Sequence, residues 1–261
     1  LEDVGGLDHL KDWLAVRHRG LEPQAREFGL PAPRGVLLVG VPGCGKSLIA
    51  KAIAGSWGLP LAALDTGRLH GSLVGESERR IRAALDSVEV MAPAVLWIDE
   101  IEKAFGAGGA EQDGGVAQRV MGVLLGWLQE RPDGVFVVAT SNDVQALPPE
   151  LLRRGRFDDV FFVDLPDSGQ RAEILQQVLR ARGRDAGALD LAAVVEATAG
   201  FSGAELDSAV TSALYVAYAA GRPLDTAALL AEVDKTVPLS RLRAEDVAAL
   251  RAWAQGRARP A

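Results

Sequence analysis

The octet Gly40-Val41-Pro42-Gly43-Cys44-Gly45-Lys46-Ser47 has the spacing GxxxxGK[ST]. It follows the apolar run 36–39, which reads as a buried strand, and it opens a helix-like run that continues to residue 57. Such a loop frees backbone N–H groups, and the helix N-terminus adds its own, so together they cradle anionic phosphates. Lys46 would reach the β- and γ-phosphates of a nucleotide, and the Ser47 hydroxyl would bind Mg²⁺. The expected nucleotide-contacting set is Pro42, Gly43, Cys44, Gly45, Lys46, Ser47 and Leu48. The bland alternative is a glycine-rich turn that merely packs; the strand–loop–helix context argues against it.

A second candidate lies some 50 residues on, where Val95-Leu96-Trp97-Ile98 reads as a buried strand ending in Asp99-Glu100. Two carboxylates at a strand tip suit a Mg²⁺-nucleotide site. Asp99 would hold the metal, directly or through water, and Glu100 would polarise an attacking water. Taken alone the pair is an acidic turn. Trp97 alternates to the other side of the strand and reads as core.

A third apolar strand, 137–139, ends in Thr140-Ser141-Asn142-Asp143. Asn142 could hydrogen-bond a γ-phosphate or the attacking water, or serve as an ordinary turn asparagine. In Leu151-Leu152-Arg153-Arg154-Gly155-Arg156-Phe157-Asp158, three arginines fall within four positions. Such a cluster is a solvated face, or it supplies guanidinium groups to a transferring phosphoryl group held by a neighbouring subunit.

These groups need strands to carry them. Apolar runs at 36–39, 61–64, 94–98, 135–139 and 160–163 alternate with helical patterns at 46–57, 77–90 and 116–129. Continuous apolar strands alternating with helices imply an α/β fold whose parallel sheet is covered on both faces. Ligands bind such sheets at the C-terminal ends of the strands, where the phosphate loop and the acidic pair both fall. From about residue 165 the pattern is helical, at 168–182, 189–198, 203–220, 226–233 and 244–254, with no further convincing strand. Ser202 reads as a helix cap that closes a capping box with Glu205. The expected division is an α/β nucleotide-binding domain at 1–164 and a smaller all-helical domain at 165–261. The glycine-rich stretch 105–115 reads as a mobile loop by composition.

The 261 residues carry 28 Lys and Arg against 35 Asp and Glu, a net charge of −7. That balance argues against a nucleic-acid surface covering the molecule, although Arg251, Arg257 and Arg259 could form a local basic patch. No run approaches the roughly 18 apolar residues of a membrane span, and no signal peptide is visible. The single Cys44 excludes an internal disulfide framework and suits a reducing cytoplasm. Its place in the phosphate loop raises a redox switch as one reading and a small residue that simply fits as the other. Leu1 is not an initiator methionine, so the chain reads as a piece of something longer.

The order of phosphate loop, Asp99-Glu100, Asn142 and Arg153-Arg154-Gly155-Arg156-Phe157-Asp158 resembles the AAA+ ATPases, in the AAA subfamily proper. The resemblance runs from Asp3-Val4-Gly5-Gly6-Leu7 through Gly200-Phe201-Ser202-Gly203-Ala204-Glu205. It implies a five-stranded parallel sheet flanked by helices with a C-terminal helical lid. It also implies assembly into a ring, usually a hexamer, with the nucleotide between subunits. By that resemblance Asn142 is a sensor, and Arg153 and Arg156 are arginine fingers acting in trans. Val4 and Gly5 would line the adenine pocket, while Gly203 and Ala204 would close the site from the lid. The cofactors implied are ATP or ADP and Mg²⁺, and the reaction is hydrolysis of ATP to ADP and phosphate. A closer likeness lies in Leu69-His70-Gly71-Ser72-Leu73-Val74-Gly75-Glu76-Ser77-Glu78, Leu96-Trp97-Ile98-Asp99-Glu100-Ile101-Glu102-Lys103, Trp127-Leu128-Gln129-Glu130 and Leu147-Pro148-Pro149-Glu150-Leu151-Leu152. These segments are similar to an AAA family of bacteria, cyanobacteria and plastid genomes named after a conserved chloroplast reading frame. Its members carry a further N-terminal region, which this chain would lack.

Two departures bear on purpose. Leu73 stands where protein-threading relatives carry an aromatic, losing a large flat contact area. The Leu-Asp-Gly signature that links neighbouring subunits is replaced around Trp127-Leu128-Gln129-Glu130. The leading expectation is an ATP-driven remodeller of an unidentified protein partner. The alternative is a regulator or scaffold set by nucleotide state without threading, and a nucleic-acid motor ranks behind both.

Overall fold

A computed structural model describes residues 4–66, 76–105 and 115–261. The Leu73 loop, most of the glycine-rich stretch and Asp3 lie outside the described residues.

The chain begins with two helices, α1 (Asp8–His18) and α2 (Pro23–Glu27), that the sequence reading did not anticipate. Strand β1 (Gly35–Gly40), helix α3 (Lys46–Trp57) and strand β2 (Leu61–Asp65) follow. Next come α4 (Glu76–Val90), β3 (Ala94–Asp99), α5 (Val116–Glu130), β4 (Val135–Ser141) and β5 (Asp159–Val163). The C-terminal part holds α6 (Ser168–Ala181), α7 (Leu191–Ala197), α8 (Gly203–Ala219), α9 (Thr226–Asp234), α10 (Leu239–Leu242) and α11 (Ala244–Ala254). The five anticipated strands form a parallel sheet, and a sixth, β6 (Arg259–Pro260), extends it in the order β2-β3-β4-β1-β5-β6.

That sixth strand corrects the expectation of no strand after residue 165. It pairs Phe161 with Arg259 and Phe162 with Pro260, and Ala261 N–H donates to the Phe162 carbonyl at 3.1 Å. Two residues, one of them a proline without a donor, leave no periodic signal, and proline suits an edge position.

Side-chain alternation explains the layers. In β1, Leu37 and Val39 face a core with Ile81 and Leu85 of α4 and Leu124 and Leu128 of α5. Val36 and Leu38 face the opposite core with Leu10 and Leu14 of α1 and Ile49 and Ile53 of α3. Every residue of β1 is buried, as a central parallel strand covered on both faces requires. Trp97 lies on the second face, as expected, with Lys51 Nζ 5.6 Å from its ring centroid. The helical part has its own core, built on Leu175, Leu179, Val194, Phe201, Leu206, Val210 and Leu229. Its last helix returns to the sheet: Leu250 and Trp253 of α11 join the α4–α5 core.

Helix starts follow local chemistry. The Ser202 hydroxyl accepts from Glu205 N–H at 3.4 Å, while Ser202 N–H donates to Glu205 Oε2 at 2.7 Å, the expected capping box. Asp167 and Gln170 build an unanticipated second one at the start of α6. Gly40, at the tip of β1, has φ +152°, and a Cβ there would lie 2.0 Å from the Val163 carbonyl oxygen. Only glycine lets β1 run beside β5 and turn into the phosphate loop.

Candidate functional site

The C-terminal tips of β1, β3 and β4 open onto a cleft of about 740 Å³, a size suited to a small cofactor. The loop from Gly40 to Lys46 forms its floor, with Gly43 and Gly45 at φ +79° and +85°. Those left-handed residues turn the backbone into the N-terminus of α3. Gly43, Cys44, Gly45, Lys46, Ser47 and Leu48 all line the cleft. Pro42 stands just behind them, its carbonyl 3.9 Å from Cys44 Sγ.

Lys46 is buried, and Nζ donates to the Gly40 and Val41 carbonyls at 2.8 Å each. Burial lowers its pKa to about 8, against the opposing pull of Cys44, Glu102, Asp99 and Glu100. A phosphate arriving at the loop would favour the charged form.

Ser47 and Asp99 meet, as the sequence required. Ser47 Oγ donates to Asp99 Oδ1 at 3.1 Å. The same carboxylate oxygen accepts from Thr140 Oγ1 at 2.6 Å, and Thr140 Oγ1 accepts from Glu100 N–H at 3.0 Å. Thr66 donates toward the Asp99 carbonyl at 3.1 Å and that of Glu100 at 3.3 Å. This clamp holds Glu100 at φ +48°, a conformation that costs a non-glycine residue about 1 kcal/mol or more. The strained turn aims the Glu100 carboxylate into the cleft. There Oε1 accepts from Asn142 Nδ2 at 3.1 Å and Oε2 pairs with Lys103 Nζ, whose pKa this contact raises. Asn142 N–H donates to Oε1 of the buried Glu102 at 2.9 Å. Asn142 Oδ1 is buried without a hydrogen-bond partner.

Thr66, Thr140, Glu102 and Lys103 escaped the sequence reading. A signal for Thr140 existed. Once β3 pairs with β4, the match of Ile98 with Ala139 sets Thr140 beside Asp99.

The N-terminal segment and the helical lid close the cleft. Val4 and Gly5 line it, and a Cβ on Gly5 would lie 2.9 Å from Ile174 Cγ1 of α6. Gly203 and Ala204 stand over the phosphate loop, and Ala204 N–H donates to the Gly43 carbonyl at 2.9 Å. At the far end Arg182 Nη2 donates to Asp207 Oδ1 at 2.8 Å and Thr211 Oγ1 at 2.9 Å, tying α6 to α8.

Arg153 and Arg156 do not join this group. Arg153 is exposed and lines a separate concavity of about 570 Å³ with Arg154, Arg257 and Arg259. Arg156 Nη1 donates to the Glu150 carbonyl, and its Nε is buried without a partner.

Of the two readings of Cys44, its surroundings favour the small residue that fits. Burial pushes its pKa up to about 12, with Lys46 pulling the other way and Asp164 and Glu205 adding to the rise. The thiolate is therefore scarce at neutral pH, and the loop thiol reads as a small residue that fits. Labelling with a maleimide at pH 7.5 should run about a hundredfold or more slower in the native protein than in urea. Equal rates in the two states would restore the redox reading.

The sequence model of the ATPase family associated with various cellular activities (AAA) matches residues 36–165, the segment that carries β1 to β5 and both acidic strand tips. The chain belongs to the AAA family of ATPases. Within that family it is similar to the AAA domain-containing protein ycf46. It is 43% identical over 255 residues to that of Guillardia theta, covering 97% of this chain and 50% of that protein. To that of Pyropia yezoensis it is 44% identical over 261 residues, covering 99% and 53%. The ATP-dependent zinc metalloprotease FtsH of Acidothermus cellulolyticus is 38% identical over 228 residues, covering 84% of this chain and 34% of that protein. The chain thus spans about half the length of the ycf46 relatives. Among the described residues, no helix is long and apolar enough to cross a membrane.

Proposed function

We propose that this chain hydrolyses ATP to ADP and phosphate at a site completed by a neighbouring copy, and uses the cycle to remodel a protein partner. One observation carries the reading. Lys46, Ser47, Asp99, Glu100 and Asn142 converge on one cleft, while Arg153 and Arg156 of the same chain do not line it. The hard oxygens of Ser47 and Asp99, 3.1 Å apart, fit Mg²⁺, which keeps most of its positions for water and phosphate. Mg²⁺ bound there would neutralise charge on the β- and γ-phosphates. Lys46 would leave its two carbonyls for the phosphate oxygens, and the loop amides would hold the rest. Glu100 takes the proton of the attacking water, and Asn142, already bonded to Glu100, places that water for in-line attack. Val4 and Gly5 would border the adenine, with Gly203 and Ala204 closing over the phosphate loop. Arg153 and Arg156 would then serve the next subunit's γ-phosphate, in a ring of the kind AAA proteins form, on a reading of six copies.

The regulator or scaffold reading draws on Leu73 in place of an aromatic; it shares the same hydrolytic site and differs in what the cycle moves.

Phosphate release measured across a dilution series tests the shared site. Turnover per chain should climb with concentration, by about 10³-fold between isolated and assembled protein, and should vanish with EDTA. A rate per chain that stays flat through the assembly transition would refute the shared site. Absence of Mg²⁺-dependent release at every concentration would refute hydrolysis itself.

A further inference from the structure

The arginines assigned to the neighbouring subunit ride on the loop 153–157, between the short turn Pro149–Leu152 and β5. The Glu150 carbonyl accepts from Arg153 N–H at 3.1 Å and from Arg156 Nη1, and Phe157 is buried in the α4–α5 core, but the tip between them is open. Gly155 sits at φ +98° with nothing within 4 Å of a Cβ position, and Arg153 and Arg154 are exposed. The carbonyls of that tip are fastened from outside, by two other arginines.

Arg131, one residue past the end of α5, is only 5% exposed. Its guanidinium donates to four peptide carbonyls, one each from α5, β4, the entrance of β1 and the loop. Nη1 reaches Leu128, Nε reaches Val135 at 3.4 Å, and Nη2 reaches both Arg34 and Arg156, the latter at 3.1 Å. Arg34, just before β1, sends Nη1 to the Gly155 carbonyl and to that of Gln129 at 2.8 Å. The backbone N–H groups of Arg34 and Gly35 donate to Asp158 Oδ2 at 2.7 and 3.0 Å. Two consecutive loop carbonyls, those of Gly155 and Arg156, are thereby held by side chains from the exit of α5 and the entrance of β1.

Such a placement is demanding. A guanidinium offers five donors in a rigid plane, and here they meet neutral carbonyls rather than a carboxylate. Burial lowers the pKa of Arg131 to about 10, Arg34 adds to that effect, and Asp158 opposes it. An apolar residue would fill the same space without burying a charge. What it could not do is bind the loop backbone to two other elements at once. The anchor also continues inward. Arg131 Cζ lies 5.7 Å from the Trp127 ring centroid, and Trp127 Nε1 donates to Glu89 Oε1 of α4 at 2.6 Å.

We propose that Arg131 is a positioning residue for the trans arginines: with Arg34 it fixes the backbone that presents Arg153 and Arg156 to the neighbouring subunit's nucleotide. The proposal rests on the shared-site reading above. It places the device at the end of α5, directly after the segment in which the usual Leu-Asp-Gly signature is replaced.

The test uses Arg131→Lys, which keeps the charge and loses the planar fork, and Arg34→Ala, a partly exposed position that leaves the core intact. Both variants should bind a fluorescent ATP analogue within about twofold of the parent. Turnover of the assembled protein should fall about 10- to 100-fold in Arg131→Lys, the scale expected when a catalytic group is misplaced by about 1 Å, and less in Arg34→Ala. The deciding measurement is mixing. Glu100→Gln subunits bring intact fingers and no turnover of their own, so adding them to either variant should raise turnover well above the sum of the separate rates. Unchanged turnover in both variants, or a loss that mixing does not repair, overturns the proposal. Should Arg131→Lys fail to fold by circular dichroism, Arg34→Ala decides by the same criteria. An Arg153→Ala/Arg156→Ala chain, run in parallel, separates the two readings. If it turns over like the parent, the shared site falls and the proposal with it. If it is slow and repaired by mixing while Arg131→Lys and Arg34→Ala are not, the proposal about Arg131 alone falls.

Discussion

Replacing Glu100 with Gln is expected to slow ATP turnover by about 10²- to 10⁴-fold while leaving nucleotide affinity within a few-fold of the parent. The amide has nearly the shape of the carboxylate, so the turn at φ +48° and the threonine bonds that hold it stay as they are. An amide oxygen still accepts from Asn142 Nδ2. What disappears is the proton acceptor, together with the charge that holds Lys103. Binding depends on the loop amides, Lys46 and the lid, none of which touches Glu100. The effect should therefore appear in kcat and not in the dissociation constant. Phosphate release and titration of a fluorescent ATP analogue on the same preparation separate the two. A variant that turns over within threefold of the parent would remove Glu100 from the mechanism.

The second large effect belongs to the arginines outside the cleft. Arg153→Ala combined with Arg156→Ala should lower turnover of concentrated protein by about 10³-fold, the scale of a lost trans guanidinium. More telling is the shape of the curve. The double variant at any concentration should turn over as the parent does when dilute, because both then lack an arginine at the γ-phosphate. Neither side chain lines the chain's own cleft, so affinity for ATP should be unchanged in dilute protein. An equal fractional loss at high and low dilution would show that the arginines support their own chain and not its neighbour.

How far the sequence reached follows from how local each signal is. The phosphate loop, its strand and its helix are contiguous, and the glycines, Lys46 and Ser47 lie where the spacing requires. Asp99 and Glu100 were legible because an apolar strand ending in two acids is itself a local pattern. Thr140 and Thr66 were not, because their roles arise from strand register, which pairs residues some 30 to 40 positions apart. Arg131 was hidden for a similar reason. An arginine after a helix reads as solvated, and only the tertiary fold surrounds it with carbonyls from residues 34, 128, 135 and 156. The thiol in the phosphate loop was ambiguous because its acidity depends on burial, which spacing does not report. Strand β6 left too few residues for periodicity to act on.

The return of α11 and β6 to the sheet gives the helical part a second attachment. A lid joined by one linker swivels freely about it. Here the chain leaves the sheet after Val163 and comes back to it at Leu250, Trp253 and Arg259, with Arg251 Nε bonded to Asp164 at 2.9 and 3.1 Å beside the exit. The helical part is thus tied to the sheet at both of its ends, on the β5–β6 side. Strand β5, which carries that second attachment, also continues from the loop of Arg153 and Arg156.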